Sequence, residues 1–394
     1  MSAHQVLILL IIGYIVFSID KKQKFFPVPV VLVLLGLVLA IIPYFDDITL
    51  TKELIFNVFL PALLFVSAYS FPLDNLRKNK WIIGTLGTIG LLLTVLILGA
   101  AIYLVGNLFI QLPFVASLLI ASILAPTDPV SVVSILKQSL SDEKIADIVE
   151  GESMINDGTS IVVFTLLLEM FTQDKSFSFG YFIGEFLYVS IGGILLGIIF
   201  GWTLSKAVHY SKHRQYQVML SIIVAYGSFY LGEAIGVSGV LSTVTAGLML
   251  SFEFGRNIKE DYFRESLDGF WNVVEPSVLS LIFLLIGIQA ADYLLFSEWM
   301  LAIAIFMLSL IVRFIVLNGL TLTVPGWRHT ISTKDTGLVT WSGIKGTMSV
   351  ALLMGFEAAA DNADMLISLT FAAVLLSLVI QSLGVYPIAK KIKQ

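Results

Sequence analysis

Apolar runs of about 20 residues, the length of helix that crosses a bilayer's hydrocarbon core, follow one another along this chain. Only short polar stretches separate them. Thirteen runs are read, near 5–19, 25–44, 54–71, 81–105, 112–136, 145–171, 179–205, 216–233, 237–252, 270–290, 298–323, 334–357 and 362–388. They are continuous rather than alternating apolar with polar, which excludes a transmembrane β-barrel. The pattern predicts an all-α membrane protein of about 13 transmembrane helices, a single membrane domain over 1–394 with no soluble domain between spans. The first run reads as a span rather than a leader, because no Lys or Arg precedes it and Lys21, Lys22 and Lys24 follow it.

Loop charge tests this count. Taking alternate loops, one set holds 19 of the 23 basic residues, from Lys21 through Arg77, Lys137, Lys206, Arg256 and Arg328 to Lys393. The other set holds Lys52 and Lys175, and Arg313 and Lys345 fall inside spans. By the positive-inside rule the C-terminus is cytoplasmic and the N-terminus external, in a multi-pass cell-membrane protein. Composition agrees: hydrophobic residues make up 57% and charged residues 13%, too few charges to coat a water-soluble surface. The expected partner is the lipid bilayer. A net charge of −5 gives no reason to expect nucleic-acid binding, and zero cysteines exclude disulfides and thiolate metal sites.

Against this background five charged residues stand where charge is costly: Asp128, Glu152, Asp157, Arg313 and Lys345. Each costs about 2.5–3.5 kcal/mol at a span centre if unpaired. Three are acids and two are bases, so pairing leaves one carboxylate over, and a spare intramembrane carboxylate points to cation or proton handling.

The charges sit in three constellations. In the fifth span, Ala125-Pro126-Thr127-Asp128-Pro129 sets two prolines three apart, which disfavours continuous helix. A break there frees carbonyls, including that of Thr127, and leaves a half-helix N-terminus that Asp128 is suited to cap. In the sixth span, Ser153 and Asp157 are four apart and share a helix face. Glu152 lies roughly 140° around from Asp157 at about 100° per residue. Asp157, the Ser153 hydroxyl and a free carbonyl form a candidate all-oxygen site for a small hard cation. Glu152 faces elsewhere and needs a base, for which Arg313 is the candidate. Glu150, nearer the cytoplasmic end, reads as a solvated funnel residue. In the twelfth span, Gly343 and Gly346 flank Lys345 and weaken the helix, so that Lys345 is available to a half-helix C-terminal end. If span 7 is a connector, the rest form two inverted six-helix repeats with spans 5 and 12 as their broken fifth helices, the arrangement of a transporter's midplane site. The histidines (His4, His209, His213, His329) lie near the start or in loops and read as solvated.

At these residues the sequence resembles the monovalent cation:proton antiporter-1 family, specifically the bacterial NhaP-like sodium/proton antiporters. The resemblance runs from about 25 to 385. It is carried by Phe59 to Phe65, Thr127-Asp128-Pro129, Gly151-Glu152-Ser153 with Asn156-Asp157, Gly236 to Val240, Ser280 to Gly287, and Trp341 to Thr347. It implies a homodimer with a mobile ion-translocating core (about 81–171 and 298–390), the remaining spans forming a dimerisation part. It implies Asp157 as the shared Na⁺/H⁺ carboxylate with Ser153 and the Thr127 carbonyl as ligands, Asn156 held by Asp128, and Glu152 paired with Arg313. There are two departures. A carboxylate usual after Leu-Leu-Phe in span 3 is Val66 here, and the usual arginine of the glycine-flanked motif is Lys345. The relatives with two adjacent aspartates are electrogenic; Asn156 beside Asp157 implies one-for-one, electroneutral exchange. No cofactor is expected; the transported ions are Na⁺ (or Li⁺) and H⁺, with K⁺/H⁺ or mixed exchange as the alternative. A cation channel and an intramembrane aspartyl protease built on Asp128 and Asp157 are the rivals from other classes. The protease lacks its Gly-x-Gly-Asp pattern, and the chain is expected not to be an enzyme.

Overall fold

The computed structural model describes residues 2–19, 27–48, 50–128, 133, 136–137, 144–173, 177–210, 213–254, 261–324, 327, 331–360 and 363–392. Pro129, His329 and the bases Lys21, Lys22, Lys24, Lys175, Lys212, Arg256, Lys259, Arg328 and Lys393 lie outside the described residues. Those described form helices and short connections, with no strand among them. In chain order the helices are α1 (Ala3–Ile19), α2 (Val28–Leu39), α3 (Lys52–Ser70), α4 (Leu73–Gly106), α5 (Phe114–Leu124), α6 (Lys144–Thr172) and α7 (Phe179–Tyr210). Then come α8 (Arg214–Ala234), α9 (Gly239–Phe254), α10 (Asp261–Tyr293), α11 (Trp299–Thr323), α12 (Thr333–Trp341), α13 (Thr347–Glu357) and α14 (364–392). Among the described residues, seven helices are long and apolar enough to cross a membrane, and five shorter ones are apolar.

The chain divides into two compact units: Met1–Lys52 with Trp81–Phe177 and Ser280–Gln394, and Glu53–Lys80 with Ser178–Leu279. In the second, α7 lies close along α9. Gly193, Gly197 and Gly201 recur every four residues, so one face of α7 carries no side chain; a Cβ there would meet Ser238, Ser242 and Ala246. Without a hydrophobic drive between helices in lipid, such small-residue faces let backbones approach and pack. The corner from α8 to α9 uses Gly236, whose φ of +76° suits only glycine well. Val237 N donates back to Gly232 O at 3.0 Å and Gly239 N to Glu233 Oε1 at 3.0 Å, so the Gly236 to Val240 segment is a helix corner. In α3, Pro61 cannot donate to the carbonyl four residues back, and the wide π turn Ile55–Phe59 precedes it. Tyr230 and Tyr226 donate to the carbonyls of Asn57 and Val58 at 2.8 and 2.7 Å. Val66 packs in this unit's apolar core with Phe65, Tyr69, Val224, Leu250 and Trp271.

In the first unit α5 is enclosed by α4, α6 and α13, and all its residues from Ala116 to Leu124 are buried. Gly36 of α2 and Gly287 of α10 each lie against the other helix's backbone, and Gly13 of α1 faces Ser280. The Ser280 to Gly287 segment is thus a close-packing face against α1 and α2. Both expected interruptions are present. Helix α5 stops at Leu124 and residues 125–128 are non-helical, and residues 342–346 separate α12 from α13.

Candidate ion-binding site

The two interruptions meet. Asp128 N donates to Ile344 O at 2.8 Å, joining one broken backbone to the other. The Asp128 carboxylate accepts from Thr347 N at 3.1 Å and from Thr347 Oγ1 at 3.2 Å. It therefore caps the N-terminus of α13, where a negative charge meets the helix's positive end. The sequence reading had Asp128 capping a half-helix of its own span; that stretch, from Pro129 on, lies largely outside the described residues, and the cap on α13 is one the sequence reading did not foresee. Lys345 Nζ donates to Pro126 O at 3.4 Å, just past the C-terminal end of α5. Each broken segment thus supplies the charge that the other's helix end calls for.

The glycines beside Lys345 do more than weaken a helix. A Cβ at Gly346 would overlap the Asp128 carboxylate, and one at Gly343 would overlap the Arg313 guanidinium. Both are bare so that a charged side chain can lie on the backbone.

Helix α6 brings the remaining groups. Ser153 Oγ donates to Thr127 O, and Asn156 Nδ2 donates to Thr127 Oγ1 at 2.9 Å. Where the resemblance implied that Asp128 holds Asn156, the amide goes to the residue before it. Glu152 Oε2 accepts from Arg313 Nη2 of α11 at 2.9 Å. Glu152 and Lys345 are 3% exposed, Asp128 and Arg313 5%. Beside the Glu152–Arg313 pair is a cavity with room for about one water, lined also by Asn156, Thr94, Gly90 and Ala125. Glu150 forms an ion pair with Lys137 at 2.8 Å and is not simply solvated.

Asp157 differs from the other four charges. Among the described residues its carboxylate has no hydrogen bond or ion pair, and Oδ1 is buried without a partner. The residue keeps some accessible surface, sits one helical turn from Ser153, and lies within electrostatic range of Asp128 and Glu152.

Comparison with known proteins bears on this arrangement. The family model described as sodium/hydrogen exchanger, transmembrane, matches residues 6–391. The chain belongs to the sodium/hydrogen exchanger family. Members are transporters, not enzymes, and this one is a multi-pass membrane protein. It is 30% identical to the Na⁺/H⁺ antiporter NhaH of Halobacillus aidingensis, over 98% of this chain and 97% of that protein. To the Na⁺/H⁺ antiporter ApNhaP of Aphanothece halophytica it is 31% identical, over 99% of this chain and 75% of that one. Its fold is similar to that of the sodium proton antiporter MjNhaP1 from Methanocaldococcus jannaschii, with a TM-score of 0.78 at 20% identity, covering 99% of this chain and 98% of that one.

The sequence reading of this exchanger passed over Ser377 and Gln381 of α14, which reach the break beside Lys345. The signal was there: a serine and a glutamine four apart in a largely apolar span. Thr347 was named in that reading only as the end of the Trp341 to Thr347 segment, not as the residue whose amide Asp128 caps.

Proposed function

We propose that this exchanger swaps Na⁺ (or Li⁺) for H⁺ at Asp157, with Ser153 and the Thr127 carbonyl as further ligands of the metal ion. One observation carries the reading. Of the five charged residues singled out as costly in the spans, four are engaged by ion pairing, capping or a backbone carbonyl, and Asp157 is the one whose carboxylate has no such bond among the described residues. A carboxylate short of water needs neutralising, and a proton or an alkali cation each does it. The two ions then compete for one group, and exchange needs no second site. Ser153 Oγ would turn from donating to Thr127 O to presenting its lone pair to the cation, and the carbonyl so released becomes a ligand too.

Asp128, Asn156, Glu152, Arg313 and Lys345 support the site rather than bind the ion. Asn156 leaves Asp157 the one titrating group at this point of α6, which favours one-for-one, electroneutral exchange. The remaining elements of this reading are a homodimer in the cell membrane and 13 spans in two inverted repeats. The N-terminus is external and the C-terminus cytoplasmic. A core including about 81–171 and 298–390 moves to give alternating access, and the other spans hold the dimer. The test is fluorescence dequenching in everted vesicles with Na⁺, Li⁺ and K⁺. Wild-type protein should respond to Na⁺, and Asp157→Asn should reduce the response to background. Normal exchange by Asp157→Asn removes the carboxylate from the central role.

A further inference from the structure

In an unbroken helix Lys345 N would donate to Trp341 O, four residues back. The interruption at 342–346 removes that bond and leaves Lys345 N, buried, and Trp341 O, part-buried, needing partners. The same stretch of α14 meets both. Lys345 N donates to Ser377 Oγ at 3.0 Å. Ser377 Oγ donates in turn to Gln381 Oε1, and Gln381 Nε2 donates to Trp341 O at 2.8 Å. Two side chains are spliced in series into one missing helical hydrogen bond. A further bond fixes the assembly, from Trp341 Nε1 to Gln381 O at 2.9 Å. Ser377 and Gln381 are fully buried and bracket the π turn Ser377–Gln381. One turn on, Gly384 has no Cβ, and the Trp341 ring occupies that space.

The relay decides between two states of the twelfth span. Continuous helix would satisfy Lys345 N and Trp341 O with each other but would leave Gln381 Nε2 without its acceptor and Ser377 Oγ without the donor it receives from Lys345 N. In the broken state Lys345 N, Trp341 O and Gln381 Nε2 all have partners. A buried polar group left unpaired costs about 1–3 kcal/mol, so the relay holds the break open. With the break open, Lys345 reaches Pro126 O and Asp128 reaches the first turn of α13. We infer that Ser377 and Gln381 are positioning residues for exchange, acting through the open break and Lys345 on the groups around Asp157. This deepens the exchange reading and rests on it.

The test compares Ser377→Ala, which cuts the relay, with Ser377→Thr, which keeps the hydroxyl. Gln381→Met cuts the relay from its other end. In the full-length chain, hydrogen–deuterium exchange is followed in peptides containing Lys345. In proteoliposomes, the maximal rate and the half-saturating Na⁺ concentration are measured across a pH series. Loss of one buried hydrogen bond corresponds to about tenfold. Ser377→Ala and Gln381→Met should therefore expose the Lys345 amide, lower the maximal rate about tenfold and displace the pH profile, while Ser377→Thr stays near wild type. Wild-type amide protection and rates in Ser377→Ala overturn the inference. So does a loss of folded protein with an unshifted pH profile in what remains, because that marks a purely structural clamp. A wild-type chain that moves no protons with Na⁺, while Ser377→Ala still exposes the Lys345 amide, overturns the exchange reading and leaves the relay standing.

Discussion

Arg313 and Glu152 show how a single pair stabilises this chain. Both are buried, 2.9 Å apart, so removing one leaves the other's charge without compensation. Breaking a buried pair in this way costs about 3–5 kcal/mol. Arg313→Ala should lower the melting temperature and the yield of folded protein. Adding Glu152→Gln should recover much of the loss; if it recovers none, the pair is not what Arg313 contributes. The pairing was legible from sequence because a charge inside a span must find an opposite one, and few were available. The partner of Asn156 was not legible. Thr127 and Asp128 are adjacent in sequence, and which of them meets the amide depends on how α6 passes the fifth-span break. That Asp128 reaches the start of α13 was hidden for the same reason. Its chemistry as a cap was readable, but the helix it caps begins at Thr347, 219 residues away in sequence.

At the scale of elements, the two interrupted spans depend on bare backbone as much as on charge. Gly346 is where the Asp128 carboxylate lies against the chain. Gly346→Ala would push the carboxylate off Thr347 N and leave the first turn of α13 uncapped, at about 0.5–2 kcal/mol. The expected outcome is a folded protein with strongly reduced Na⁺-driven proton movement. Full activity would mean that the cap is dispensable. Prolines and glycines announced both interruptions in advance, because they act locally on helix geometry. The π turns were less visible. Pro61 signals the first and Gly87 and Gly90 lie in the second, Leu86–Gly90, but Ser377–Gln381 carries no such local mark. Their freed or widened backbone is satisfied from other helices, as when Thr159 donates to Gly87 O at 2.7 Å.

At the scale of the molecule, one carboxylate that accepts either one proton or one Na⁺ moves no net charge per cycle. An imposed membrane potential in proteoliposomes should leave the steady-state Na⁺/H⁺ exchange ratio unchanged, and a potential-driven shift would require a second charge in the cycle. The sequence by itself determined that the chain is helical and lives in a membrane, because hydrophobic length is a one-dimensional property set against a solvent of fixed thickness. It also determined which charged residues are out of place, since that cost depends on position along a span. Only the tertiary structure decided which helix end each charge serves and that Asp157 is the acid left over. It alone revealed that α14 repairs the broken twelfth span. Those are contacts between segments far apart in sequence, and the energy of a buried polar group depends on the partner it meets there.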